Sequence, residues 1–167
     1  RMKLAEATVM FADLAGFTPV SENATPQEVA EMLESYFTHA VEAIFSVGGT
    51  LDKFIGDCVM AFFGAPVPQS DHARRAVQAA IQIQEAQEAL NRERAARGLP
   101  TLLVRIAIQS GAVVVGDVGS RKRVDYTVLG NTVNVAARLE SGVAEAGEIT
   151  LGGETHRLLA GAFPTEP

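Results

Sequence analysis

An α+β fold, one antiparallel sheet with helices on a single face, is what the order of apolar segments in this chain predicts. Helix-like and strand-like segments are interleaved along its length. Several strands are joined by turns too short for a crossover helix, which argues for hairpins and against a doubly wound parallel sheet. The 167 residues, 47% of them hydrophobic, suffice for one core and leave little room for a second.

The elements follow in order. Residues 4–12, rich in Val, Met and Phe, read as the first strand, and Gly16–Asn23 as a polar connection. Thr25-Pro26-Gln27-Glu28 is a helix start, with Thr25 as N-cap, Pro26 at the first helical position and Glu28 three residues after the cap. Val29, Met32, Leu33, Tyr36, Phe37, Ala40, Val41, Ile44 and Phe45 recur at helical spacing, and Gly48-Gly49 ends that helix. Thr50–Ile55 and Cys58–Phe63 are short strands around the tight turn Gly56-Asp57. Gly64-Ala65-Pro66-Val67-Pro68 breaks the chain, and Asp71 is expected to cap a second long helix running to about Arg97. Its face carries Ala76, Val77, Ala80, Ile81 and Leu90, and Gly98-Leu99-Pro100 stops it. Leu102–Gln109 and Val113–Val118 read as two strands joined through Ser110-Gly111. Val124–Leu129 is another strand, followed by a helix over Asn131–Ala146 with Val135, Ala136, Leu139 and Val143 inward. A strand at Ile149–Leu151 and a helix around Glu154–Leu159 complete the order.

Bulk properties narrow the function. A net charge of −6 without a long basic run argues against nucleic-acid binding through an electrostatic patch. The single cysteine, Cys58, excludes an internal disulfide framework and fits a reducing compartment. Lying inside an apolar run, it reads as a small buried hydrophobe. No segment approaches the ~18 uninterrupted apolar residues of a membrane helix. No basic start with a following apolar stretch suggests a signal peptide. The chain starts at Arg1 almost directly with a strand and so reads as a piece cut from a longer protein. The expectation is a cytoplasmic domain without direct membrane contact, whose parent carries any anchor or sensor elsewhere.

The chemistry begins with Asp13 and Asp57, each closing an apolar run beside a small residue or glycine. A carboxylate at a buried strand end is costly unless a cation or hydrogen-bond donors satisfy it. Two of them on neighbouring strands suit hard divalent metals, which take oxygen ligands and leave positions for substrate phosphates. Two such metals can hold both the attacking and the leaving oxygen of an in-line displacement at phosphorus. The connection Leu14-Ala15-Gly16-Phe17-Thr18 lies between a strand and a helix, where backbone N–H groups can cradle phosphate oxygens. It is not a Walker motif, because no Gly-Lys-Ser/Thr follows. Asn134 and Arg138, four apart, share one helical face, and Arg can offer a rigid fork of donors to a developing phosphorane charge. Read singly, each Asp is equally a turn or helix cap, the Asn–Arg pair a surface pair, and Lys53 an exposed strand lysine.

Three blocks carry a resemblance: Phe11-Ala12-Asp13-Leu14-Ala15-Gly16-Phe17-Thr18, then Lys53-Phe54-Ile55-Gly56-Asp57, then the run from Asp125 through Gly130-Asn131-Thr132-Val133-Asn134 to Arg138-Leu139-Glu140. Together they resemble the class III nucleotidyl cyclase catalytic domain, in order, from about residue 5 to residue 151. The resemblance implies a ferredoxin-like, palm-type antiparallel sheet with helices on one face. It further implies that Asp13 and Asp57, with the carbonyl of Leu14, hold two Mg²⁺ or Mn²⁺ ions, and that amides of the Ala15, Gly16, Phe17, Thr18 segment bind phosphates. Lys53 and Thr127 would read the purine, in the pattern of adenine-specific bacterial homodimeric enzymes (class IIIb), some of which respond to bicarbonate. Asn134 would orient the ribose and Arg138 would stabilise the α-phosphate. The implied assembly is a head-to-tail homodimer with composite sites, and the implied reaction converts ATP to 3′,5′-cyclic AMP and pyrophosphate.

Two departures stand out. Family members usually continue, after the last helix here, into strands carrying a triphosphate-binding Lys, which this sequence does not include, so that contact is left unassigned. Gln109-Ser110-Gly111 stands where many members have His before a small residue and Gly. His39, His72 and His156 have no ligand-like spacing and read as surface or packing residues. The rival readings are a catalytically silent nucleotide-binding or dimerisation domain and a guanylate cyclase, which Lys53 opposes. A diguanylate cyclase would show Gly-Gly-Asp/Glu-Glu-Phe in the hairpin that here reads Phe54-Ile55-Gly56-Asp57-Cys58.

Overall fold

The computed structural model describes residues 2–167. Its elements run β1 (Lys3–Ala15), α1 (Phe17–Glu22), α2 (Pro26–Ser46), β2 (Thr50–Ile55), β3 (Cys58–Phe63), α3 (His72–Ala96), β4 (Leu103–Gly119), β5 (Val124–Leu129), α4 (Asn131–Gly142), β6 (Ile149–Leu151) and α5 (Gly153–Leu159). The strands form one sheet in the order β2-β3-β1-β4-β5, with β6 added against β4. The α+β class stands. The sheet is mixed rather than wholly antiparallel, because β6 lies parallel to β4, with Ile106 opposite Ile149.

Alternation along β1 divides the core into two layers. Met10, Ala12 and Leu14 face α2 and α3 through Met32, Tyr36, Ile44, Ala80 and Ile83, with Leu159 of α5 closing that layer. Val9 and Phe11 face the other way, with Met60, Phe62, Val113, Val128 and Ala136 of α4. The expectation of helices on a single face therefore holds for α2, α3 and α5 and is corrected for α4. The reason is that β1 and β3 are apolar on both faces, so each face needs a cover.

The start of α2 follows its sequence closely. Glu28 N donates to Thr25 Oγ1 at 3.2 Å while Thr25 N donates to Glu28 Oε1 at 2.9 Å, a complete capping box. The Asp71 carboxylate does not cap α3; it accepts from Arg75 Nε at 2.7 Å, a charge-assisted bond that outcompetes a backbone amide. The Gly16–Asn23 connection is in part the short helix α1, whose Phe17 and Val20, three apart, pack on the core. The two strands expected on either side of Ser110-Gly111 are one, β4. Its pairing with β1 continues unbroken through Thr8↔Ser110 and Ala7↔Gly111. Ser110 points inward, its hydroxyl bonded to Thr8 and Thr155 at 2.7 Å each, and Thr8 also meets His72 Nδ1 at 2.6 Å. Gly111 allows α4 to come close: an added Cβ would lie 2.7 Å from Thr132 Oγ1, which donates to Ala112 O at 2.8 Å. Helix α4 stops at Gly142 instead of Ala146, since the chain must reverse through Gly147 (φ +82°) to bring β6 beside β4. Among the described residues no helix is long and apolar enough to cross a membrane.

Candidate active site

Strands β1 and β3 pair antiparallel, with Ala12 opposite Val59, so the end of β1 and the β2–β3 turn meet at one edge. Gly56 takes a left-handed φ of +61° in that turn, and Asp57 reaches back so that its Oδ2 accepts from Leu14 N at 2.9 Å. From the opposite layer Tyr36 Oη donates to Ala12 O at 2.8 Å, fixing the strand just before Asp13. Asp13 lies opposite Arg105 of β4, whose Nε donates to Asp13 Oδ1 at 3.1 Å and stands 3.8 Å from Glu140 Oε2. Burial, and then the adjacent Asp13 carboxylate, push the Glu140 carboxyl up to about 7.

Asp13 and Glu140 thus share one guanidinium, and the Asp57 carboxylate stands near enough to add its field. Such a set is short of positive charge, and all its free ligand atoms are oxygens, which suits Mg²⁺ or Mn²⁺. Among the described residues no three or more His, Cys, Asp or Glu side chains surround one metal position. The protein supplies a partial ligand set, of the kind that substrate oxygens complete. Cys58, packed beside this layer, has its thiol pushed up to about 12 chiefly by burial and is held as the unreactive thiol.

Strand β1 runs through Ala15, Gly16 turns with φ +74°, and Phe17 opens α1. The Ala15–Thr18 amides therefore sit where β1 passes into a first helical turn, whose N–H groups have no intrahelical acceptor.

Lys53 and Thr127 also come together. Thr127 Oγ1 donates to Asp52 Oδ2, and Lys53 Nζ lies 3.7 Å from Asp52 Oδ1. Thr127 is buried, the Asp52 side chain is 1% exposed, and that of Lys53 is 45% exposed. Asn134 and Arg138 behave differently. Both stand exposed on α4, and among the described residues neither side chain has a hydrogen-bond or ion-pair partner. Among the described residues no hydrogen bond or ion pair joins them to Asp13, Asp57 or Lys53.

The family described as "Adenylate and Guanylate cyclase catalytic domain" matches residues 2–166. The chain belongs to that family. This cyclase domain is 44% identical to "Adenylate cyclase 1" of Rhizobium meliloti (strain 1021) over 135 residues, 81% of the chain and 20% of the relative. It therefore spans about a fifth of that protein's length. The adenylyl cyclase CyaB from P. aeruginosa has the same fold, with a TM-score of 0.91 and 37% identity over 96% of this chain and 83% of that one. The guanylyl cyclase Cya2 follows at a TM-score of 0.86 and 38% identity, covering 95% of this chain and 79% of that one.

Three residues that contact the candidate site escaped sequence reasoning: Arg105, Glu140 and Asp52. Arg105 is a lone charge in the apolar run from Leu102 to Ile108, and Asp52 sits in a strand beside Lys53. A charge inside an apolar strand was the available signal. Its partners, at positions 13 and 127, become visible only with the strand register.

Proposed function

We propose that this domain is the catalytic unit of an adenylate cyclase, converting ATP to 3′,5′-cyclic AMP and pyrophosphate. The observation that carries the reading is the convergence of Lys53 and Thr127 on one carboxylate within a single protomer. A lysine only donates, which suits the bare N1 of adenine and not the protonated N1 of guanine.

Asp13 and Asp57, with the Leu14 carbonyl, are the residues that would hold two Mg²⁺ or Mn²⁺ ions. Such ions, when bound, neutralise charge at the reacting phosphate and lower the pKa of the attacking 3′-hydroxyl. The chain's own contribution is positioning and electrostatics. The Ala15, Gly16, Phe17 and Thr18 amides hold phosphate oxygens, Asn134 orients the ribose, and Arg138 presents its donors to the α-phosphoryl oxygens. The exposure of Asn134 and Arg138 supports a head-to-tail homodimer, in which one copy supplies the aspartates and the other supplies α4. The exposed apolar side chains of Val118, Val124, Tyr126 and Leu129 on the β4–β5 arm suit a covered face. In this reading residues 1–167 act as one catalytic domain in a cytoplasmic setting.

The test is to incubate purified protein with ATP or GTP and Mn²⁺ and identify the cyclic product. Cyclic AMP from ATP is expected; product from GTP alone assigns a guanylate cyclase, and no product from either a silent domain. Mixing two inactive variants, Asp57→Ala and Arg138→Ala, should restore activity by forming one intact site per mixed dimer. A mixture as inactive as its components excludes the composite site. Adding bicarbonate at constant pH tests the regulation that the Thr127 pattern implies.

A further inference from the structure

The register of β2 against β3 slips at one residue. Leu51 lies opposite Ala61 and Lys53 opposite Met60, so Asp52 is an extra residue without a cross-strand partner. A bulge of this kind re-aims side chains and is common beside active sites. Here it brings Asp52 inward next to Lys53. The Asp52 side chain is 1% exposed, its Oδ2 accepts the Thr127 hydroxyl, and its buried Oδ1 has no hydrogen-bond partner, with Lys53 Nζ still 3.7 Å away. Burying a carboxylate that is only partly satisfied is costly unless the charge has a use. Neither the pairing of β2 with β3 nor the apolar packing of this region needs a charge there.

The chemistry of the cluster gives the charge a use. An ionised carboxylate only accepts, so the Thr127 hydroxyl must spend its one proton on Asp52 and is left with lone pairs alone. A purine whose 6-position meets that oxygen meets an acceptor. Adenine offers a 6-amino donor there, whereas guanine offers a 6-carbonyl that repels it. The same carboxylate draws the Lys53 ammonium toward the same spot, where it can donate to a ring nitrogen lacking hydrogen. We propose that Asp52 is a positioning residue that sets the preference for adenine, by fixing the Thr127 hydroxyl as an acceptor and holding Lys53 beside it. The proposal rests on the reading of Lys53 and Thr127 as the purine-facing residues. It adds the direction of the hydrogen bond, which the identity of Thr127 alone leaves open, since a hydroxyl serves either way. Sites built around one polar pattern reject the inverted pattern strongly, because the mismatch leaves buried groups unpaired.

The experiment compares kcat/KM for ATP and GTP in the wild type, Asp52→Asn, Thr127→Val and the double variant. Asparagine keeps the shape of Asp52 but can turn its NH₂ toward Thr127, which frees the hydroxyl to donate to a 6-carbonyl. The ATP/GTP ratio should fall about tenfold in Asp52→Asn, about as far in Thr127→Val, and no further in the double variant. A merely structural role for Asp52 would lower both nucleotides together and leave the ratio unchanged. Asp52→Ala, which also releases the Thr127 proton, serves where the asparagine variant does not fold. An arm without any substitution uses purine riboside triphosphate, which keeps N1 but lacks the 6-amino group. It should be used about tenfold less well than ATP, and equal use overturns the proposal. So does an unchanged ratio in folded Asp52→Asn beside a lowered one in Thr127→Val, and this leaves the adenylate cyclase reading intact. Additive effects in the double variant overturn it likewise. A wild type that prefers GTP overturns both the proposal and the reading beneath it.

Discussion

Asp13 and Asp52 are both shielded carboxylates with one basic neighbour, yet their surroundings balance differently. Around Asp13, the Glu140 carboxyl shares its single guanidinium, that of Arg105, and the Asp57 carboxylate adds a further negative field. Around Asp52 there is one carboxylate, one ammonium and one hydroxyl donor. The first cluster carries surplus negative charge, which in the proposed function a cation from outside would complete. The second is neutral within itself and, in the proposed role, would act by orienting its neighbours. Charge balance, more than burial, separates a place that binds an ion from one that aims a ligand.

The sharpest way to break this contrast is Asp57→Ala. It should lower cyclase activity about a thousandfold and abolish the rise in thermal midpoint that Mn²⁺ gives the wild type. A retained Mn²⁺ shift would show that the crowded cluster is not where the ion sits. Arg138→Ala, outside both clusters, should cost roughly 3 kcal/mol of barrier, seen in kcat while the Mn²⁺ shift persists. Near-wild-type turnover would remove Arg138 from its assigned role. Lys53→Ala belongs to the balanced cluster. It should weaken kcat/KM for ATP about tenfold and leave the Mn²⁺ shift untouched, which differential scanning fluorimetry with and without the metal can read.

The smallest effect is on pH dependence. Burial holds His72 below its ordinary value of 6.5, so the unfolded chain takes up that proton first. Its contribution to stability is complete above 6.5 and is lost as pH falls toward the folded-state value. Glu140, raised to about 7, works in the opposite sense: its contribution is complete below 4.5 and is lost as pH rises through about 7. Thermal midpoints between pH 5 and 7.5 should therefore fall less on acidification in His72→Gln, and more in Glu140→Gln, than in the wild type. Parallel curves for all three proteins would contradict these shifts.

The same contrast explains what the sequence could reveal. Local chemistry was legible: the Thr25–Glu28 box, the Gly56-Asp57 turn and the Lys53 and Asp57 block all rest on neighbours a few residues apart. The helix α1 was missed because six residues carry too little periodicity to register. Strand β4 was divided because Ser-Gly usually punctuates a chain, whereas here tertiary pairing with Thr8 and Thr155 overrides the local preference. The cover of α4 on the second face could have been inferred from Val9–Ala12 and Val59–Phe63, which are apolar without alternation. The partnerships Arg105–Asp13 and Asp52–Thr127 link residues brought together only by sheet register and by a bulge, and no local pattern encodes either.

The close seat of α4 on β4 has its own bearing on turnover. Asn134 and Arg138 ride on a helix whose first turn is latched by Thr132 to Ala112 and whose clearance is set by the bare α-carbon of Gly111. Catalysis that relies on alignment can lose about a hundredfold for a displacement near 1 Å. The tolerance of this machine is therefore written into a residue with no side chain and no part in the chemistry. The spacing of two backbones, a mechanical dimension, sets where α4 presents its arginine and so, in the proposed dimer, how well it would meet a phosphate held by the other copy.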